Sequence, residues 1–113
     1  MPAYNEKENI VTAINSALKI CKEISKKFEV IVVGGISTDG TDEIVINLAK
    51  KIKKLKFIDR GKEREYGQAL KVGFRSCKYE WIFYTDSDNQ FDLNDLKRFV
   101  KYYNDYDLII GYR

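Results

Sequence analysis

Apolar side chains recur every three or four residues at Ile10, Val11, Ile14, Leu18, Cys21, Ile24 and Phe28. That spacing predicts an amphipathic helix from about Glu6 to Lys27. Val30-Ile31-Val32-Val33 is then an unbroken β-branched run, the pattern of a strand covered on both faces. Ile44, Val45, Leu48 and Ile52 share one face of a second predicted helix, and Asp42 and Glu43 suit its first turn. Leu55–Ile58 is a short second strand. A charged loop runs from Arg60 to Glu65. Ala69, Leu70, Val72, Phe74 and Cys77 are the packing residues of a helix over Gly67–Cys77. Trp81–Thr85 predicts a further buried strand, because Trp, Ile, Phe and Tyr suit a pleated surface packed on both sides. Leu96, Phe99, Val100 and Tyr103 turn inward from a fourth helix over Leu93–Tyr103, and Leu108-Ile109-Ile110 is the last strand.

Helices and strands alternate with short connections, which predicts an α/β fold: a mostly parallel sheet with helices on both faces. Such an order normally opens with a strand. Here Met1-Pro2-Ala3-Tyr4-Asn5-Glu6 is the loop that should follow one, so the first strand is missing from the expected order. In a doubly wound sheet that strand lies between Val30–Val33 and Trp81–Thr85. Its absence predicts that these two strands close the gap and pair directly, at a cost in stability. The alternative is an open edge through which the chain self-associates.

Composition narrows the function. The 113 residues make one domain, 1–113, and 44% hydrophobic with 33% charged residues describes a folded globular chain. The net charge of +3 is dispersed, so a nucleic-acid partner is not expected. Histidine is absent, which removes His-based triads and His metal sites. Cys21 and Cys77 fall at apolar helical positions, consistent with small core residues in a reducing, cytoplasmic setting. No apolar run approaches the roughly 18 residues of a membrane span.

The candidate chemistry lies at loops that a parallel sheet would open on one edge. After the Trp81–Thr85 run come Asp86-Ser87-Asp88-Asn89-Gln90. The oxygens of Asp86, Asp88 and Gln90 alternate and can converge on one hard cation, Mg²⁺ or Mn²⁺, with a substrate diphosphate completing its shell. Plain turn and helix-cap chemistry is the competing reading. A calcium EF-hand loop is excluded, since Phe91 and Lys97 stand where Gly and Glu are required. Gly35-x-x-x-x-Gly40-Thr41 imitates a phosphate-binding P-loop, but Thr41 replaces the lysine. Ser37, Thr38 or Asp39 can simply cap the second helix. Tyr4 offers an aromatic face for a base and Glu6 an acceptor for ribose or base. A surface turn and a first-turn helix carboxylate are their ordinary alternatives.

Four stretches in order resemble family 2 glycosyltransferases of the GT-A, Rossmann-like nucleotide-binding fold, and in particular the dolichyl- and polyprenyl-phosphate sugar transferases. They are Pro2-Ala3-Tyr4-Asn5-Glu6; Val32-Val33 through Ser37-Thr38-Asp39-Gly40-Thr41; Tyr66-Gly67-Gln68-Ala69-Leu70 with Gly73; and Thr85-Asp86-Ser87-Asp88-Asn89-Gln90-Phe91-Asp92. The resemblance implies that Pro2, Tyr4, Glu6, Val33, Asp86, Ser87, Asp88 and Arg113 hold a nucleotide-diphosphate sugar. It implies that Asp86, Asp88 and Gln90 gather the metal, with Asp86 and Asp88 as the catalytic carboxylates. The reaction implied is metal-assisted transfer of the sugar to a lipid phosphate, in a longer parent at the cytoplasmic face of a membrane.

Gly34-Gly35-Ile36 departs from the family's usual Asp-Asp-Gly, so a carboxylate contact to the base is lost. Restoring aspartate there is expected to tighten nucleotide binding. The chain resembles a transferase truncated at both ends, which leaves turnover by this chain alone open. The alternatives are a degenerate nucleotide- or metal-binding module without turnover, and a structural protein with its cleft unused.

Overall fold

The computed structural model describes residues 1–61 and 65–111. At its centre two strands, β1 (Val30–Gly34) and β2 (Leu55–Asp59), run parallel, in register from Val30 against Leu55 to Gly34 against Asp59. All five residues of β1 are buried. Successive side chains of a strand point to opposite faces, so a fully buried strand needs cover on both.

One face carries Val30 and Val32 against Ile10 and Ile14 of α1 (Ile10–Ile24), Val45 of α2 (Thr41–Lys51), and Leu55. The other carries Ile31 and Val33 against Ala69 of α3 (Tyr66–Ser76). Helices therefore cover both faces of a parallel sheet, as the α/β alternation predicts. The expected start of α1 at Glu6 moves to Ile10 because residues 6–9 form a turn. There the Glu6 carbonyl accepts from the Asn9 and Ile10 amides at 2.9 and 2.8 Å.

Three expectations are corrected. Trp81–Thr85 is not a strand, and its aromatic residues are half exposed: Trp81 at 45% and Phe83 at 42%. Leu108–Ile110 forms no strand either, with Leu108 and Ile110 each 73% exposed. The fourth helix is broken into a 3₁₀ turn (Leu93–Asp95), a short α4 (Leu96–Phe99) and another 3₁₀ turn (Val100–Tyr102). Of its expected inward residues only Leu96 is buried.

The direct pairing of Val30–Val33 with Trp81–Thr85 is also absent; among the described residues the sheet consists of β1 and β2. Instead a cavity of about 770 Å³ separates them, lined by Ile31 and Val33 on one side and by Trp81 through Thr85 on the other.

The physical reason sits at the amino terminus. Pro2 bridges Val33 in parallel, the Ala3 amide donates to the Val33 carbonyl (2.9 Å), and the Val33 amide donates to the Met1 carbonyl (3.0 Å). The Met1 amino group donates to the Ile31 carbonyl at 3.1 Å. Residues 1–3 thus form a strand stub that holds the gap open at its upper end. Below the stub lies the cavity, and among the described residues Trp81–Thr85 joins no ladder and lines that cavity instead. No described helix is long and apolar enough to cross a membrane.

Candidate functional site

Three loops meet beyond the carboxyl end of β1. The first, residues 2–9, is fastened to the glycine loop by side chains that the apolar pattern does not reveal. The Asn5 side-chain oxygen accepts from the Thr38 amide at 2.9 Å, and the Asn5 amide donates to Ser37 Oγ at 3.3 Å. Asn5 itself has φ 53°, a left-handed conformation that asparagine tolerates better than most residues. Thr41, fully buried, accepts from the Glu6 amide at 2.9 Å and donates to Asp39 Oδ1 at 2.5 Å. Asp39 also accepts from the Lys7 amide. The Thr41 hydroxyl and these amides hold the Asp39 carboxyl below its usual range.

Thr41→Val keeps the shape and removes the hydroxyl, leaving the Glu6 amide without its acceptor. We expect a loss of about 1–2 kcal/mol. Urea denaturation measures it, and an unchanged midpoint would show that the two loops are not held by this contact.

The glycine loop closes on Asp42. Its carboxylate accepts from the Gly35 amide (3.1 Å), the Ser37 amide (3.0 Å) and Ser37 Oγ (3.1 Å). Two amides that a phosphate loop would present to its ligand are thus given to an internal carboxylate. Sequence reasoning placed Asp42 only at a helix dipole; the signal it passed over was an acid directly after a Gly-Thr turn.

At Gly34 a Cβ would lie 2.4 Å from Asp42 Oδ1 and 2.9 Å from Phe57. Gly35 has φ +116°, and a Cβ there would lie 2.0 Å from Asp59 Oδ1. An aspartate at 34 would have to displace the Asp42 or Phe57 side chain, and one at 35 would displace Asp59 and also meet a left-handed backbone.

The third loop carries the acidic motif. Ser87 is buried and its Oγ donates to the Pro2 carbonyl at 2.9 Å, which locks this loop to the first. Asp86 Oδ1 accepts from Tyr66 Oη at 2.7 Å and from Tyr84 Oη at 3.2 Å, and the two hydroxyls also touch one another. Burial, then the charge of Asp86, pushes the Tyr84 hydroxyl above its ordinary pKa, so it remains a donor. One carboxylate is thus aimed by the start of α3 and the end of the Trp81–Thr85 run together. Asp88 Oδ1 accepts from the Gln90 amide at 3.0 Å, and Asn89, at φ 60°, donates from Nδ2 to the Asn9 carbonyl at 3.1 Å.

Of the predicted site residues, the structure brings Pro2, Val33 and Ser87 into one bonded group, with Asp86 and Asp88 on either side of Ser87. Tyr4 is 51% exposed beside them. The Glu6 carboxylate accepts from Asn9 Nδ2 at 2.8 Å, a contact local to the start of α1. Gln90 is exposed and meets Asp88 through its backbone. Arg113 lies outside the described residues. Tyr66 and Tyr84 were not anticipated as partners of Asp86; Tyr66 lies 20 positions away, and Tyr84, two positions away, reads from its neighbours as a strand residue.

Among the described residues no three acidic or cysteine side chains converge to hold an ion unaided. The large apolar cavity is lined by none of Asp86, Ser87, Asp88 and Gln90. A second pocket of about 190 Å³ touches Asp86, between Thr12 and Ser16 of α1 and Asn89. The loop cluster, where polar groups converge, is the candidate site.

The family model for Glycosyl transferase family 2 matches residues 1–113. An undecaprenyl-phosphate 4-deoxy-4-formamido-L-arabinose transferase of Photorhabdus laumondii is 31% identical over 103 residues, which cover 89% of this chain and 31% of that protein. The protein of the same name from Pectobacterium carotovorum is 31% identical over 104 residues, covering 90% and 32%. An uncharacterized protein of Methanocaldococcus jannaschii is 31% identical over 121 residues, covering all of this chain and 50% of its own length. The chain thus spans about a third of the length of the named transferases it matches.

Proposed function

Because this chain belongs to glycosyl transferase family 2 and has that family's α/β, GT-A-type architecture, we propose that it is the donor-binding part of a transferase. The reaction proposed moves a sugar from a nucleotide-diphosphate sugar to a polyprenyl phosphate, the acceptor class printed in the names of its relatives. The observation that carries the reading is the junction of Ser87 with Pro2, which sets the acidic motif against the first loop.

In this reading the exposed ring of Tyr4 receives the base, and Pro2, Glu6 and Val33 shape the floor beneath it. Asp86 and Asp88 hold Mg²⁺ or Mn²⁺ with Gln90 beside them. Two carboxylates and an amide oxygen are hard donors that suit either ion, and the diphosphate supplies further oxygens. When bound, such an ion stabilises the departing nucleoside diphosphate as a Lewis acid. Tyr66 and Tyr84 fix the rotamer of Asp86, so its second oxygen is oriented before substrate arrives. A lipid phosphate is already anionic, so the transfer needs no general base from this chain. Arg113 would add a positive charge to the diphosphate.

Calorimetric titration with UDP- and GDP-sugars, with and without Mn²⁺, tests this. We expect Mn²⁺-dependent binding that falls at least tenfold in Asp88→Asn. Binding that ignores both Mn²⁺ and Asp88 would sink the reading. A second reading, a binding module without turnover, is favoured by the Asp42-closed glycine loop. Nucleotide binding with no transfer to a polyprenyl phosphate by the longer parent would select it.

A further inference from the structure

At the glycine loop a carboxylate of β2 stands where a loop side chain would be. A Cβ at Gly35 would lie 2.0 Å from Asp59 Oδ1 and 2.9 Å from its carboxyl carbon. Asp59 ends β2 and is paired in register with Gly34. Leu55 and Phe57 pack with Val30 and Val32 on the face that α1 and α2 cover, and the two-residue period puts Asp59 on that same face. The first loop and the glycine loop lead into those two helices. Asp59 Oδ1 accepts from the Gly61 amide at 2.7 Å, which fixes the side chain. Its Oδ2 accepts from no described group, and the residue is exposed.

The other acceptors of these two loops are spent internally. Asp42 accepts at Oδ2 from the Gly35 and Ser37 amides and at Oδ1 from the Ser37 hydroxyl. Asp39 accepts at Oδ1 from Thr41 and at Oδ2 from the Lys7 amide. Asn5 Oδ1 is taken by Thr38, and the Glu6 carboxylate is turned to Asn9 within its own loop. Asp59 is thus the carboxylate that borders the glycine loop with an oxygen to offer. Across the top of the sheet the order is stub, β1, β2, and the first loop leaves the stub at Tyr4. Neighbouring strands lie about 4.8 Å apart, so roughly 10 Å separates the row of Tyr4 from that of Asp59. A base resting on the Tyr4 ring spans that distance and brings its far edge to Asp59.

We propose that Asp59 is the base-reading residue of the donor site, and that it selects a base with a ring N–H on its pairing edge, uracil or guanine. The proposal rests on the reading of the loop cluster as a nucleotide-sugar site. Uracil N3–H and guanine N1–H are donors, and a carboxylate accepts from either in a charge-assisted hydrogen bond. Cytosine N3 and adenine N1 carry lone pairs at the same place and meet the carboxylate with repulsion, so the one group both attracts and rejects. Gly35 belongs to the same device. Any side chain there would take the space of the Asp59 carboxylate, so the acid reaches the loop from the neighbouring strand.

The test is calorimetric titration of the 113-residue chain and of its Asp59→Asn variant with UDP, GDP, CDP and ADP, each with Mn²⁺. Asparagine keeps an oxygen for the Gly61 amide and can turn an N–H towards a base lone pair. Urea midpoints report whether the variant is folded. The unsubstituted chain is also titrated with N3-methyl-UDP and N1-methyl-GDP, which lack the ring N–H, so the result does not depend on the variant folding.

We expect the unsubstituted chain to bind UDP or GDP about tenfold or more tighter than CDP, ADP and the methylated form. Asp59→Asn should erase that preference and leave the Mn²⁺ dependence in place. Equal binding of the four diphosphates, undiminished binding of the methylated form, or a preference that survives in folded Asp59→Asn would each overturn the proposal while leaving a nucleotide site standing. Binding of none of the four would overturn the site reading and this proposal together.

Discussion

Gly35→Asp lowers stability by about 2–6 kcal/mol and gains no nucleotide affinity. Two costs add. At φ +116° a side chain is strained, at about 1–3 kcal/mol for a residue held in so sparse a region. The new Cβ also overlaps Asp59 Oδ1 at 2.0 Å, and relieving an overpacked contact costs about 1–3 kcal/mol more. Asp59 is in addition a carboxylate whose Oδ1 accepts from the Gly61 amide at 2.7 Å, so it cannot simply swing away without releasing that turn. Gly35→Ala carries the same backbone strain and the same Cβ overlap, so the difference between the two variants isolates the added carboxylate. Chemical denaturation gives the stability and calorimetry the affinity. A stable Gly35→Asp variant with tighter UDP or GDP binding would show that the loop re-forms around an inherited carboxylate.

Stability rises by about 2–3 kcal/mol between pH 6 and pH 8 through one group, the Met1 amino group. Burial lowers its pKa from 8.0 to about 6, against smaller opposing pulls from Cys77 and Asp86. The unfolded chain therefore binds a proton through that window while the folded chain does not. The contribution is fully present above about pH 8 and is lost as pH falls through 6, at roughly 1.4 kcal/mol for each unit of difference. Urea midpoints at pH 5.5, 7 and 8.5 measure the slope. Acetylating the amino group should flatten it, and the cavity beside Met1 has room for the acetyl group. An equal slope in acetylated protein would assign the pH dependence elsewhere.

Local pattern was enough for the half of the chain whose neighbours are also local. The β-branched run at Val30–Val33 and the three-to-four spacing through Ile14 and Val45 each specify an element that packs on the next one in sequence. Trp81–Thr85 has equally strong strand composition and is not a strand. A strand is defined by its partner, and composition carries no information about whether the partner exists. The same limit applied at the site. Asp86, Ser87 and Asp88 are visible as a cluster, but the Tyr66 and Tyr84 hydroxyls that aim Asp86 come from separate elements. Asp42 was legible as a first-turn acid; that it closes the glycine loop depends on the φ of Gly35, which a bare Gly-Gly pair leaves open.

The Ser87–Pro2 hydrogen bond joins residues 85 positions apart. Closing so long a loop costs on the order of 4 kcal/mol of chain entropy, far more than one hydrogen bond returns. The junction can therefore form only after α1, β1, α2 and β2 have packed and brought the loops near each other. Its opening is therefore expected to need less free energy than opening the central sheet. The first loop and the acidic loop would separate in partial openings that leave the central sheet intact. A ligand bridging both loops would suppress those openings, so its occupancy would be linked to the stability of the closed loops.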